Sequence, residues 1–271
     1  MTAIYDSKKR RPIFIEELLG IIHYRDLIFQ LVRRDIVTRY KRSILGIAWT
    51  MLNPLGMMIV LTLVFSNLFH SIHQYPAYVL SGLIAWNFFS QTTTASLTLN
   101  VWGGSLLHRI YLPRSSFTVS AIGTGLVNLV FSIPPLVIIM LIIGTPLQWT
   151  ILLLPYSILL LAAFALGIGL LLSSWATSFP DIVEMYQIAL MAWMYLTPII
   201  YPQDIIPVTY RLLLVDLNPM YYLIQVFRLP IYEGILPPLH VLLIGTGIAL
   251  ITFLLGWIVF TKNADKINYR T

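Results

Sequence analysis

Six long apolar stretches dominate this sequence, and each has about the length of a helix that crosses a lipid bilayer. They lie at 47–69, 76–99, 117–143, 151–173, 182–201 and 239–260. Crossing takes about 20 mostly apolar residues, because backbone groups in lipid must be hydrogen-bonded within the segment. The chain is 58% hydrophobic and only 10% charged, more apolar surface than a soluble domain of this size hides. The sequence therefore predicts an all-α integral membrane protein with six transmembrane helices.

Basic residues are concentrated in alternate connections between these stretches. Lys and Arg number ten in residues 1–45, two in the loop after the second span and three after Phe260. Of the 17 in the chain, only Arg211 and Arg228 fall on the other side. An excess of basic residues marks cytoplasmic loops, so both termini are predicted to be cytoplasmic, in a protein of the cytoplasmic (inner) membrane. Topology and anionic lipid headgroups explain the net charge of +6, and no nucleic-acid partner is expected.

Residues 1–45 are too charged to insert and are predicted to form a cytoplasmic amphipathic interface segment. Apolar positions within 12–42 recur at helical spacing: Leu18, Ile22, Phe29, Val32 and Ile36. Such a helix, broken once, is expected to lie in the inner headgroup region of the bilayer. Residues 46–271 are predicted to form a six-span transmembrane domain.

The segment 202–238, between the fifth and sixth spans, is too apolar for a solvated loop, yet proline interrupts it repeatedly. Irregular backbone is tolerated at membrane depth only where it packs against protein or lines a cavity. We therefore expect short re-entrant helices on the outer side of the membrane.

Several kinds of chemistry have no counterpart in the sequence. There is no phosphate-binding G-x-x-x-x-G-K-[ST] loop, and no His or carboxylate cluster at metal or triad spacing. The middles of the six stretches carry no charged residue, which counts against an ion-coupled transporter and against a membrane-embedded glycosyltransferase. No cofactor is expected in this chain, and work done by the protein is expected to draw on energy supplied from elsewhere.

The apolar stretches do contain aromatic and small polar residues, densest between Trp86 and Thr94. One interpretation is an interfacial aromatic belt with hydroxyl groups that pack helices. The other is a conduit whose wall stacks on sugar rings and hydrogen-bonds their hydroxyls without charge. The residues that we assign to such a conduit are Trp49, Asn53, Trp86, Phe89, Gln91, Trp193 and Tyr195.

Four blocks of the sequence together resemble one family. Residues 34–69 read RDIVTRYKRSILGIAWTMLNPLGMMIVLTLVFSNLF, and the other blocks are HRIYLPRSSF (108–117), FPDI with YLTPIIYP (179–182 and 195–202) and LNPMYYLIQVFR (217–228). In this order they resemble type-2 ABC exporter permeases for polysaccharides. The first block carries most of the pattern, at Tyr40, Lys41, Ser43, Leu45, Gly46, Trp49, Pro54 and Leu55. Pro180-Asp181 departs from the Arg-Asp that many relatives have there, which puts any salt bridge at that point in doubt.

The resemblance implies a permease subunit, not an enzyme, that exports a lipid-linked glycan such as an O-antigen, a capsular polysaccharide or a teichoic acid. It implies a homodimer bound to two copies of a separate ATPase subunit, which binds ATP and Mg. We assign coupling to the ATPase to Arg109, Leu112, Pro113, Arg114, Arg33 and Arg34. We assign admission of a lipid pyrophosphate to Arg39, Lys41 and Arg42.

Simpler interpretations stay open for both basic groups, since the coupling arginines can merely set topology and the others can hold anionic membrane lipid. Two other functions also stay open. A type-2 ABC permease for drugs or lipids would share the fold but would not need the aromatic and amide-rich run from Trp86 to Thr94. An ATP-independent channel or scaffold would need no coupling loop.

Overall fold

The computed structural model describes residues 13–41, 43–46, 48–69, 72, 74–102, 113–145 and 147–268. Every regular element in these ranges is helical, which confirms the predicted all-α class. The main helices are α1 (Ile13–His23), α2 (Arg25–Tyr40), α3 (Ala48–Phe65), α4 (Tyr75–Trp102), α5 (Ser115–Ile143), α6 (Leu154–Ala176), α7 (Ile182–Leu196), α8 (Val208–Arg211), α9 (Pro219–Arg228) and α10 (Leu239–Asn268). Short 3-10 helices lie at Trp149–Leu153 and Gln203–Ile205, and π-helical turns extend α8 to Asp216 and α9 to Glu233.

Four helical stretches of the described chain are long and apolar enough to cross a membrane: Ala48–Phe65, Ser115–Ile143, Trp149–Ala176 and Leu239–Asn263. Their outward-facing side chains are apolar, with Leu63, Ile142 and Leu152 each more than 70% exposed. In water such a surface would aggregate, so lipid must cover it. The protein is therefore a multi-pass membrane protein.

Two further helices differ from these four. Helix α4 has 28 residues, but amide and hydroxyl side chains make it less apolar. Helix α7 is apolar but has only 15 residues, and it ends at Leu196 rather than at the predicted residue 201. Thr197 is extended, with φ −98° and ψ 134°, because the ring of Pro198 disfavours helical backbone in the preceding residue.

Helix α4 is the centre of the fold. It contacts α3, α5, α6, α7 and α9, and most of its side chains are buried. Beside it, α6 and α10 approach so closely that a Cβ built on Gly256 would lie 2.1 Å from the carbonyl oxygen of Gly167. Small residues allow this kind of backbone contact between membrane helices.

The amino-terminal segment forms two helices, α1 and α2, on either side of Tyr24. Both pack on the transmembrane helices: Val32 contacts Gly123 of α5, and the Phe14 ring lies 5.7 Å from that of Trp257 in α10. Ile22 and Phe29 on their outer faces are exposed. The predicted helicity and its single break are present, and the location in lipid headgroups stays a prediction.

Helix α9 packs against α4, α6 and α10 rather than extending into solvent. Its first turn is capped by Asn218, whose side-chain oxygen accepts a hydrogen bond from the Met220 amide at 3.1 Å. Burial of Leu223, Val226 and Phe227 fixes its apolar face in the core. Short helices are thus present where the sequence predicts them, and their re-entrant position in the membrane stays a prediction.

Candidate binding cavity

An open cavity of about 920 Å³ lies between α2, α3, α4 and α5. It runs along α4 from Ile84 to Leu99, which at 1.5 Å per residue is about 22 Å. One end, here called the α2 end, is lined by Asp35, Arg39 and Ser43. The other described lining residues are Trp49, Thr50, Asn53, Pro54, Ile84, Asn87, Phe88, Ser90, Gln91, Thr94, Ala95, Thr98, Leu99, Gly125, Asn128, Leu129 and Ser132.

Uncharged hydrogen-bonding groups dominate the polar part of this lining. Four side chains are amides, from Asn53, Asn87, Gln91 and Asn128, and six are hydroxyls, from Ser43, Thr50, Ser90, Thr94, Thr98 and Ser132. Each amide both donates and accepts hydrogen bonds. The hydroxyls of Ser90, Thr98 and Ser132 already donate to backbone carbonyls of their own helices, so they face the cavity as acceptors. The cavity can therefore bind a ligand that is itself rich in groups that both donate and accept.

At the α2 end of the cavity the chain turns between α2 and α3. This turn belongs to the first of the four sequence blocks, residues 34–69. Between α2 and α3, Gly46 has a positive φ of 50°, which glycine adopts without the clash of a Cβ. The Ser43 hydroxyl accepts a hydrogen bond from the Gly46 amide at 3.1 Å. This turn leads from α2 to α3, whose Trp49 and Asn53 line the same cavity as α4.

Helix α4 presents one stripe of side chains to the cavity. Asn87, Gln91, Thr94 and Thr98 follow three- and four-residue spacing, which places them on one face of a helix. Of the predicted conduit residues, Trp49, Asn53 and Gln91 are thus brought together on the cavity wall.

The opposite face of α4 carries the other predicted aromatic residues. Trp86 and Phe89 are buried, and their rings lie 6.0 Å and 5.4 Å from that of Trp193 on α7. Phe89 also stacks on Phe164 of α6 at 5.3 Å. The Trp193 indole donates a hydrogen bond to Asn218 at 2.9 Å, which joins this cluster to the cap of α9. Trp86, Phe89 and Trp193 therefore pack the core of the subunit and do not line its cavity.

Tyr195 lies apart from both groups. It is on the outer face of α7, 56% exposed, and it is absent from the cavity lining. Its role in a conduit stays a prediction.

The predicted coupling residues fall into three environments. Pro113 and Arg114 precede α5, and Arg114 is buried, which lowers the pKa of its guanidinium. Arg33 and Arg34 lie exposed on α2, where Arg34 pairs with Asp35 at 3.1 Å. Arg109 and Leu112 lie outside the described residues.

Among the residues predicted to admit a pyrophosphate, Arg39 lines the α2 end of the cavity. Lys41 is exposed just beyond α2, and Arg42 lies outside the described residues. The first of these three side chains is therefore in reach of a ligand in the cavity.

Cavity residues on α5, and an anchor at the other end of α4, were not predicted from the sequence. Asn128 and Ser132 are spaced by one helical turn within an apolar span, a signal that periodicity could have supplied. The anchor is Arg228, which is 1% exposed. It donates to the carbonyls of Pro198 and Ile199 at 3.2 Å and 3.1 Å, and its guanidinium carbon lies 3.8 Å from the centre of the Tyr78 ring.

Together, the fold and the cavity define a polytopic helical membrane protein with a large, mostly uncharged polar recess. Its described residues include no cluster of side chains able to hold a metal ion. A recess with this lining suits a polar ligand without net charge.

Comparison with known proteins gives the family. The sequence pattern of the ABC-2 type transporter family matches residues 26–232, and the chain belongs to this family. The resemblance to type-2 ABC exporter permeases is confirmed. The O-antigen export system permease protein RfbA of Myxococcus xanthus is 29% identical over 239 residues, with 88% of this chain and 91% of that protein covered.

Other relatives are similar over much of their length. An O-antigen export system permease protein RfbA of Klebsiella pneumoniae is 27% identical, with 90% of this chain and 93% of that protein covered. The polysialic acid transport protein KpsM of Escherichia coli is 25% identical, with 74% and 79% covered.

Proposed function

We propose that this chain is the permease subunit of an ATP-driven ABC exporter that moves a lipid-linked polysaccharide across the cytoplasmic membrane. The family and the names of the relatives support the transporter class. The observation that carries the proposal is the lining of the cavity, where four amides and six hydroxyls face a space of about 920 Å³. Sugar hydroxyls donate and accept hydrogen bonds, as these side chains do.

A six-span topology with both termini in the cytoplasm completes the proposal. The four long apolar helices cross the membrane, and α4 and α7 supply the other two crossings. Helix α4 is less apolar because its polar stripe faces the cavity instead of lipid. Helix α7 is short, and residues 197–201 complete its passage. In this topology the α2 end of the cavity is cytoplasmic, in agreement with the basic residues of α2.

The energy comes from a separate ATPase. Two copies of this chain form a homodimer, and two ATPase subunits bind ATP and Mg and act on its cytoplasmic face. Pro113 and Arg114, at the start of α5, are suited to receive that motion because α5 forms one wall of the cavity. Glu17 of α1 accepts a hydrogen bond from Ser115, so α1 and α2 move with the same helix end.

The lipid-linked end of the glycan approaches at the α2 end, where Arg39 and Lys41 meet its pyrophosphate and the sugars extend along α4. Cations near the cytoplasmic leaflet attract anionic headgroups in the same way. A drug or a simple lipid would leave most of the amides without partners, and unpaired polar groups weaken binding.

Reconstitution tests this function directly. The chain is purified with the ATPase that accompanies it and placed in proteoliposomes, and ATP hydrolysis is measured with and without a lipid-linked polysaccharide. We expect hydrolysis to rise with the glycan, and to lose that rise in the variant Asn87→Leu/Gln91→Leu. The control Asn67→Leu changes an exposed amide outside the cavity and should keep the stimulation.

Three results would contradict the proposal. Copurification that yields no ATPase would remove the energy source. Stimulation by drugs but not by glycans would assign the chain to the other branch of the family. If the cavity variant and the control lost glycan-stimulated ATP hydrolysis equally, the cavity would have no specific part in the mechanism.

A further inference from the structure

We propose that this cavity selects glycans whose repeating sugars carry no acidic groups. The inference rests on the proposed function and deepens it, because it specifies the charge of the polymer that the cavity accepts. It follows from where the charged side chains of the described lining lie, and from what they face.

Among the described residues that line the cavity, the charged ones are Asp35 and Arg39. They are four residues apart on α2, so they share one face of that helix, and their charges are opposite. Both lie at the α2 end. The remaining described wall, some 22 Å along α4, presents amides, hydroxyls and apolar groups.

Acidic sugars would bind along this wall less favourably than neutral ones. A carboxylate that gives up part of its hydration against a wall without a cation gains no ion pair in return. Amide and hydroxyl groups offset part of that loss, but the attraction between opposite charges is absent. A polymer with a carboxylate on every repeat would meet this cost at each sugar in the cavity.

Neutral sugars meet no such cost. Their hydroxyls exchange hydrogen bonds with water for hydrogen bonds with Asn53, Asn87, Gln91 and Asn128, and no charge is desolvated. Hydrogen bonds of this neutral kind contribute about 0.5–1.5 kcal/mol each, which lets a chain slide without being held at one point.

The two charged side chains at the α2 end can bind one terminal phosphate, but they do not favour binding of a polymer with an acidic group on every repeat. Arg39 is exposed and can meet a phosphate at the terminus of the substrate, once per molecule. Asp35 repels further anions, although Arg34 at 3.1 Å moderates this. One cation beside a carboxylate cannot pair with an acidic group on each repeat.

A binding comparison in nanodiscs tests the inference with the chain and its ATPase together. The probes are two fluorescent lipid-linked oligosaccharides of equal length, one of neutral hexoses and one with a uronic acid at every second sugar. We expect the neutral probe to bind at least about tenfold more tightly, equal to about 1.4 kcal/mol. Stimulation of ATP hydrolysis should follow the same order.

Two variants place a cation on the described wall along α3 and α4. Gln91→Lys and Asn53→Lys place an ammonium on exposed positions of the cavity wall, and each should reduce the preference for the neutral probe by about tenfold. Asn67→Lys adds the same charge outside the cavity and should leave the preference unchanged. Thermal melts establish that each variant is folded.

The possible results distinguish a failure of this inference from a failure of the proposed function on which it rests. Equal affinity for the two probes, or tighter binding of the acidic one, would overturn the inference and leave the exporter intact. Unchanged preference in both folded cavity variants would also overturn it. Failure of both probes to bind or to stimulate hydrolysis would overturn the proposed function, and this inference with it.

Discussion

The two faces of α4 have different environments. One face lines the cavity with Asn87, Gln91 and Thr94. The other buries Trp86 and Phe89 against helices α6 and α7. Neighbouring positions along the helix thus belong to different environments, because successive residues are rotated by about 100° around its axis. A segment rich in aromatic and amide residues, such as α4, can therefore line a cavity with one face and pack the core with the other.

The largest expected effect is on the packed face. Phe89→Ala leaves a hole between Phe164 and Trp193 and should cost about 3–5 kcal/mol of stability. Fluorescence-detected size exclusion after heating measures this loss in detergent. Phe179→Ala removes a ring that is 70% exposed and serves as the control. A melting temperature equal to that of the control would show that the two faces of α4 do not differ in packing.

A second prediction concerns Gly82, near the amino-terminal end of α4. A Cβ built there would lie 2.2 Å from a guanidinium nitrogen of Arg228, so Gly82→Ala must displace that buried side chain. We expect a loss of about 1–3 kcal/mol, as for other overpacked sites. Gly247→Ala is the matched control, because no atom lies within 4 Å of its added Cβ. Equal melting temperatures for the two variants would contradict the role of Arg228 as a tightly packed anchor.

The third prediction compares adjacent threonines. Thr93 accepts a hydrogen bond from the Tyr186 hydroxyl at 2.8 Å, and Thr93→Val leaves that buried hydroxyl without its acceptor, at a cost of about 1–3 kcal/mol. Thr94→Val changes the cavity face and should stay within about 0.5 kcal/mol of the parent. Thermal unfolding of the two variants side by side measures the difference, and a larger effect at Thr94 would reverse the comparison.

The smallest effect on stability is expected at Gln91, which is exposed in the cavity. Gln91→Leu should change the free energy of unfolding by no more than about 0.5 kcal/mol, while glycan-stimulated ATP hydrolysis falls. The pair of measurements sharpens the contrast with Phe89. A variant that unfolds as readily as Phe89→Ala would show that the cavity face is itself part of the core.

Much of the fold could be predicted from the sequence, because lipid leaves so few options for an apolar chain. The all-helical class, the helices at 12–42 and the short helices after α7 all follow from composition and periodicity. The end of α7 was misplaced because hydropathy continues past Leu196, whereas Pro198 stops the helix.

The cavity was predicted less well. Of the residues predicted for a conduit, Asn53, Gln91 and Trp49 line the cavity, whereas Trp86 and Phe89 are buried, because the rotation of α4 depends on its neighbours. For a related reason, Asn128 was not predicted as a binding residue, and Arg228 was noted only for its charge and not as a buried anchor. The environment of each is formed by residues that are distant in the sequence. Asn128 on α5 faces the cavity beside α4, and Arg228 on α9 binds the carbonyls of residues 198 and 199. The conduit role of Asn53, Gln91 and Trp49 itself stays a prediction.

The polar stripe of α4 has a consequence for how the protein is made. A helix enters the bilayer from the translocation machinery according to its apolarity, and amides in its middle weaken that partition. In the proposed topology α4 therefore depends on α3 and α5 to hold it in the membrane during synthesis. Faults in those neighbours would appear as misinserted, degraded chains before any glycan is bound.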